Sequence, residues 1–253
     1  MRLYRLTLLS YNRRLLRKDY LIKAVFFDFY HTLVGYSPSR EKVGAGVLRD
    51  FGIEIEPQQL SRPFTVADEY FIVENARLPI NQRSLEGKTA VFTHYQLVML
   101  KEAGIETSPD LITAIMEKWR NSSFKLVLFD DVAPVLADLK QRGLVLGLIS
   151  NVDTDITPTL AELGLTPLLD VVVTSLDTGY TKPQPQIFQE AVARAGVKAD
   201  DSLFIGDQYQ IDVLGAEEAG LKGLLLDRGG HFKGAGNYPC IRNLNQVAKH
   251  LSR

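Results

Sequence analysis

Apolar and polar positions follow two different rhythms along this chain. Over residues 22–27 the apolar positions run almost without a break, Ile22-Lys23-Ala24-Val25-Phe26-Phe27, a length that suits one buried strand and is too short for a helix. From Gly35 the rhythm lengthens. Val43, Val47, Leu48 and Phe51 recur at helical spacing over 40–51, and 58–77 reads as a second helix. Val91, Tyr95 and Val98 mark a third over 84–103. Ser108-Pro109-Asp110 opens a fourth, with a hydroxyl at the cap and proline at the first helical position, and Leu111, Ile115 and Trp119 form its stripe. Helical segments with no clear strand between them predict a bundle inserted after the first strand.

From about Phe124 short apolar runs alternate with amphipathic stretches. Helices are expected over 131–142, 154–163, 185–195 and 211–219, ending at Gly143, Gly164, Gly196 and Gly220, a residue suited to the left-handed position after a helix. Strands are expected over 144–149, 171–174, 203–205 and 223–226. The stretch 229–239 is Gly-rich and polar and reads as a loop, and 244–251 reads as a terminal helix. Strands alternating with helices imply a parallel sheet covered on both faces. The predicted class is therefore α/β: a doubly wound, Rossmann-like parallel-sheet core over 21–34 and 124–253, with an inserted α-helical unit over 35–123.

Composition narrows the functional classes. The 253 residues are 45% apolar and 23% charged with a formal net charge of −1, ordinary values for a globular protein. That balance gives no reason to expect nucleic acid or an anionic membrane as partner, and no run approaches the roughly 18 apolar residues of a membrane span. Cys240 stands alone, which leaves no intrachain disulfide or cysteine metal cluster and fits a cytoplasmic setting. Residues 1–20 form a basic extension in which Arg2, Arg5, Arg13, Arg14, Arg17 and Lys18 face a single acid, Asp19. A loose tail or displaced start, an ordered helix and a targeting segment all fit that pattern.

Candidate chemistry sits where the predicted strands end. The first run stops at Asp28, a carboxylate placed where open α/β sheets bind ligands. The 144–149 run gives way to Ser150 and Asn151; Lys182 precedes Pro183; and Leu203-Phe204-Ile205-Gly206 leads into Asp207, with Asp212 five residues on. Taken singly each has a structural explanation: Asp28, Ser150 and Asn151 as caps, Lys182 as a solvated lysine. Taken in order, strand-end Asp, strand-end Ser, Lys and an Asp pair, the chain resembles the haloacid dehalogenase-like (HAD) superfamily over about 22–227.

The resemblance carries specific expectations. The helical insertion would be a cap. In phosphatases of this superfamily the residue matching Asp28 attacks phosphorus and forms an aspartyl-phosphate. Ser150, the Asn151 amide, Thr32 and Lys182 would hold the transferring phosphoryl group, Lys182 by neutralising charge. Mg²⁺ would be bound by Asp28, the Tyr30 carbonyl, Asp207 and Asp212, and the substrate would be a small phosphorylated molecule. His31 is assigned no chemistry, whereas Tyr36 and Arg40 could reach a substrate from the hinge of the insertion.

Tyr30 breaks the pattern. The superfamily's phosphatases usually carry a second aspartate here as general acid and base, whereas its dehalogenases often carry tyrosine, because halide leaves without a proton. A tyrosine with a pKa near 10 is a poor base at neutral pH. Gly206, Asp207 and Asp212 argue the other way, since several converging carboxylates call for a divalent cation and the dehalogenases use none. Arg62 is the nearest match to the arginine that holds the haloacid in those enzymes, and its flanks differ. The sequence thus favours a Mg²⁺-dependent phosphatase over a 2-haloacid dehalogenase or a catalytically silent binding protein of the same fold, and nothing in it specifies an oligomeric state.

Overall fold

A computed structural model describes residues 22–232 and 238–251, so the basic extension 1–20 lies outside the described residues. A six-stranded parallel sheet forms the core, in the order β5 (Val171–Thr174), β4 (Val145–Ser150), β1 (Ala24–Phe27), β6 (Ser202–Gly206), β7 (Lys222–Leu226) and β8 (Cys240–Ile241). The first strand is central. Phe27 lies level with Leu148 on one side and Ile205 on the other, so the carboxyl ends of β1, β4 and β6 open side by side. This is the crevice where the strand order reverses.

Residues of β1 alternate across the sheet. Val25 and Phe27 join the apolar layer under one face, with Leu146, Leu148, Ile205 and Leu224. Ala24 and Phe26 join the other, with Ile149, Val173, Phe188 and Phe204. All four side chains of β1 are fully buried, each large one contributing on the order of 1.5–3 kcal/mol. Gly147 is required opposite Phe26, because a Cβ there would lie 2.4 Å from the phenyl ring.

Between β1 and β4 the chain leaves the core and returns. It departs through β2 (Val34–Ser37) and comes back through β3 (Lys125–Leu128), which pair antiparallel, Val34 opposite Leu128 and Ser37 opposite Lys125. This ribbon was not expected from the sequence, where a tyrosine and a glycine in a four-residue strand give little periodicity. Between its strands lie α1 (Arg40–Arg49), α2 (Ser61–Arg77), α3 (Leu85–Glu102) and α4 (Pro109–Arg120). These helices share an apolar centre of their own, including Leu48, Leu60, Phe64, Met99, Leu100 and Ile115. Ser108 caps α4 as expected, its hydroxyl accepting from the Leu111 amide at 3.2 Å.

On the return path α5 (Val132–Gln141), α6 (Thr157–Glu162), the short α7 (Ser175–Thr178) and α8 (Pro185–Ala195) connect the strands. The helix expected over 211–219 differs in form: a wide π-turn, Tyr209–Val213, precedes α9 (Leu214–Glu218). Helical periodicity does not distinguish such a turn, which is common at functional sites. The terminal segment Leu244–His250 is a 3₁₀ coil. Among the described residues no helix is long and apolar enough to cross a membrane.

Candidate active site

The strand ends bring Asp28, Ser150, Asp207 and, through the π-turn, Asp212 to one place, and Lys182 reaches in from the loop before α8. Lys182 is 3% exposed, and its ammonium donates to Asp28 Oδ1 at 2.6 Å and to Asp212 Oδ1 at 2.7 Å. It is therefore not the solvated lysine that its residue type alone would suggest. Its backbone is fixed by Asn151, whose side chain accepts from the Lys182 amide at 2.7 Å and donates to the Lys182 carbonyl at 3.0 Å. The Asn151 side chain is thus occupied in placing the lysine.

Gly206 makes room for Asp212. A Cβ at this position would sit 2.2 Å from Asp212 Oδ2, so glycine at the end of β6 is a packing requirement. The π-turn aims Asp212 back at the strand ends, where Oδ2 accepts from the Gln208 amide at 3.0 Å. Asp28, Asp207 and Asp212 each offer an oxygen within 4.8 Å of the others. Around them Thr32 Oγ1, Ser150 Oγ and Asp207 Oδ1 are buried with no hydrogen-bond partner. Buried polar atoms are rarely left unpaired. Two unpaired hydroxyls and an unpaired carboxylate oxygen in the neighbourhood of this ammonium suit a polar, oxygen-rich ligand.

Electrostatics agree. Burial, then the charges of Asp28, Asp212 and Asp68, push the Asp207 pKa well above the ordinary carboxylate value. Burial lifts Asp212 to about 6, although Lys182 pulls it down. Burial works against the Lys182 charge, but Asp212 and Asp28 hold its pKa above the usual lysine value. One lysine thus faces three carboxylates. A hard, oxygen-seeking divalent cation suits this donor set and would leave the acids ionised.

The folded protein keeps protons on Asp207 and Asp212 that the unfolded chain releases near 3.8. Their contribution to stability is whole below that value and is lost as pH rises, through about 6 for Asp212, and above the ordinary carboxylate range for Asp207 as well. In chelator, Asp207→Asn should therefore melt progressively above wild type between pH 4 and pH 7.5, by roughly 2–4 °C for each kcal/mol of relief. A melting difference that stays constant with pH would show that these carboxylates are not strained by one another.

Tyr30 lies in the turn after Asp28. Its ring is half-buried and stands edge-on to Phe29 at 4.9 Å. Burial and then Tyr36, Asp153 and Asp28 raise its pKa, so its hydroxyl is a weaker acid than an ordinary tyrosine. His31 adopts a left-handed backbone with φ 59°. Burial and then Arg40 lower its pKa to about 4, so its ring is neutral at physiological pH.

Two clusters carry no local sequence signal, because their members are far apart in the chain. Arg228, just after β7, forks onto Asp131 at 2.9 and 3.0 Å, donates to the Thr32 carbonyl at 2.9 Å and stacks on Phe129 at 4.0 Å. It ties the loop after Asp28 to the start of α5. On the insertion, Arg40 pairs with Asp68 at 2.5 Å, and the Tyr95 hydroxyl donates to the same carboxylate at 2.8 Å. Arg62 turns away to Glu102 at 2.6 Å on the exposed side of the helices.

Comparison with known proteins gives a consistent family. The family model for haloacid dehalogenase-like hydrolases matches residues 22–220. A glyceraldehyde 3-phosphate phosphatase from Methanothermobacter thermautotrophicus is 31% identical over 212 residues, 82% of this chain and 86% of that protein. Among solved structures, the HAD-hydrolase YfnB from Bacillus subtilis, bound to magnesium, superposes with a TM-score of 0.60 at 20% identity, covering 92% of this chain and 99% of that one. A 2-haloacid dehalogenase from Pseudomonas syringae superposes with a TM-score of 0.53 at 27% identity, covering 90% of this chain and 97% of that one.

Proposed function

The chain belongs to the haloacid dehalogenase-like hydrolases, and from that premise we propose that it is a Mg²⁺-dependent phosphatase acting on a small phosphorylated metabolite. The observation that carries this reading is the buried cluster of Asp28, Asp207 and Asp212 with a single lysine and an unpaired Asp207 oxygen. In this reading Asp28, Asp207, Asp212 and the Tyr30 carbonyl hold the cation, which when bound neutralises the carboxylates and polarises a phosphoryl oxygen. The helices between β2 and β3 act as a cap over the strand ends.

The chain's own residues then divide the work. Lys182 holds Asp28 Oδ1, leaving Oδ2 to attack phosphorus. The new Asp28–phosphorus bond forms as the ester P–O bond breaks, and the alkoxide takes up a proton from solvent water as it leaves. Ser150, Thr32 and the Asn151 amide hold the phosphoryl oxygens, which gives the two buried, unpaired hydroxyls their partners. Water then attacks the aspartyl-phosphate, releasing phosphate and restoring Asp28. The loop carrying Asp28 is held still through this cycle by Arg228 on the Thr32 carbonyl.

A dehalogenase is the second reading, favoured by Tyr30 and by the fold shared with the Pseudomonas enzyme. Two contacts weigh against it. The cluster is too acidic for chemistry that needs no cation, and Arg62 is committed to Glu102. The name of the methanogen relative supports phosphate ester as the substrate class. The deciding experiment is a screen of the purified full chain against phosphate esters and 2-haloacids, with Mg²⁺ and with chelator. Phosphate release that requires Mg²⁺ is expected; halide release indifferent to chelator would replace this reading with the second.

A further inference from the structure

The Arg40–Asp68–Tyr95 network lies on the side of the insertion that faces the core. Arg40 is the first residue of α1, three positions after β2 ends at Ser37, so it sits where the chain has just left the core. On α2, Ser61 Oγ is 2.8 Å from Nε2 of His231 in the core loop after β7. Asp68 lies two turns further along the same helix, on the same face, since residues seven apart nearly eclipse one another. The ring of Tyr36 stands edge-on to His31 at 5.7 Å, His31 is three residues from Asp28, and the Tyr36 hydroxyl lies within the electrostatic reach of Arg40 and Asp68.

We propose that Arg40, Asp68 and Tyr95 form the wall that contacts the leaving group, and that this wall selects phosphate monoesters of uncharged, hydroxyl-bearing alcohols over those carrying a carboxylate. The inference rests on the phosphatase reading and names its substrate class. An arginine beside a phosphatase site ordinarily attracts a second anionic group, but this guanidinium is already matched. Its side chain is 17% exposed, that of Asp68 26%, and they touch at 2.5 Å. Removing one member of such a pair to serve a substrate leaves the other charge uncompensated in a partly dry site. A carboxylate on the substrate would compete with Asp68 for Arg40, and a zwitterionic leaving group would have to split the pair. Hydroxyl groups need neither, because they can donate to Asp68 or His31 and accept from Arg40 while the pair stays intact.

The test reads a ratio. The full chain with Mg²⁺ is assayed on p-nitrophenyl phosphate, on glycerol and sugar phosphates, and on phosphoglycolate and phosphoserine. Wild type should favour the uncharged leaving groups in kcat/KM. Asp68→Asn leaves Arg40 only its longer, 3.6 Å contact with Glu41 and should move the ratio about tenfold toward the carboxylated esters, the size of one unit charge at a partly screened contact. Arg40→Gln leaves the opposite charge and should move it the other way, which keeps the proposal testable if one variant fails to fold. Asp68→Asn combined with Arg40→Gln should bring the ratio back toward wild type. Hydrolysis of p-nitrophenyl phosphate with an unmoved ratio in both folded single variants, or a wild type that prefers phosphoglycolate or phosphoserine, overturns this inference and leaves the phosphatase reading standing. No Mg²⁺-dependent hydrolysis of any ester overturns both.

Discussion

Asp28→Asn is expected to leave a folded protein whose turnover falls at least about 10³-fold, as nucleophile removal does in other covalent mechanisms. The fold should survive for a local reason. Asn keeps the shape of Asp, and Lys182 retains its 2.7 Å partner Asp212. Losing one of three clustered carboxylates also relieves part of the repulsion that, with burial, raises Asp207. Chemistry should not survive, because an amide neither attacks phosphorus nor displaces halide. Incubation of wild type with Mg²⁺ and beryllium fluoride should yield a stable adduct at Asp28, the mimic of an acyl phosphate, whereas the variant should yield none. Near wild-type turnover in a folded Asp28→Asn protein would move the reaction to another residue.

How much of this was legible beforehand depends on the range of the interaction. The core was readable because its signals are local: apolar runs of strand length, and glycines closing helices at 143, 164, 196 and 220, each with positive φ. The order Asp28, Ser150, Lys182, Asp207, Asp212 was readable because a parallel sheet converts chain order into adjacency at strand ends. Burial of Lys182 was not, since it depends on Asp28 and Asp212 arriving from 154 and 30 residues away. The pairing of Arg40 with Asp68 and Tyr95, and of Arg228 with Asp131 and Thr32, belongs to the same kind. The β2–β3 ribbon joins segments on either side of the insertion. Hydrophobic periodicity describes one element against its own core and carries no record of which distant side chain completes it. The π-turn at Tyr209–Val213 was hidden for another reason: its spacing differs from that of an α-helix by too little over five residues.

Tyr30→Asp, measured in Mg²⁺, should raise turnover of alkyl phosphates far more than of p-nitrophenyl phosphate. Nitrophenolate departs without a proton, so wild type should already process it. An alkoxide must be protonated as it leaves, and burial makes the Tyr30 hydroxyl an even weaker acid than free tyrosine. An introduced carboxylic acid two residues after Asp28 could protonate the alkoxide and then, as carboxylate, take a proton from the attacking water. General acid–base catalysis is worth roughly 10²–10⁴-fold, and a gain of about 10²-fold on alkyl esters with less than a tenth of that on the aryl ester is the expected signature. Mg²⁺ must also be bound, which can be read without turnover. Saturating Mg²⁺ should stabilise the fold by RT ln(1 + [Mg²⁺]/Kd), about 2.7 kcal/mol at a hundredfold excess over Kd, and Asp207→Asn should lose most of that shift. If the variant gains equally on both ester types, the leaving group's proton is not what limits wild type. If Mg²⁺ moves neither melting temperature nor activity, Asp207 and Asp212 are not its ligands, and the phosphatase reading gives way to the dehalogenase one.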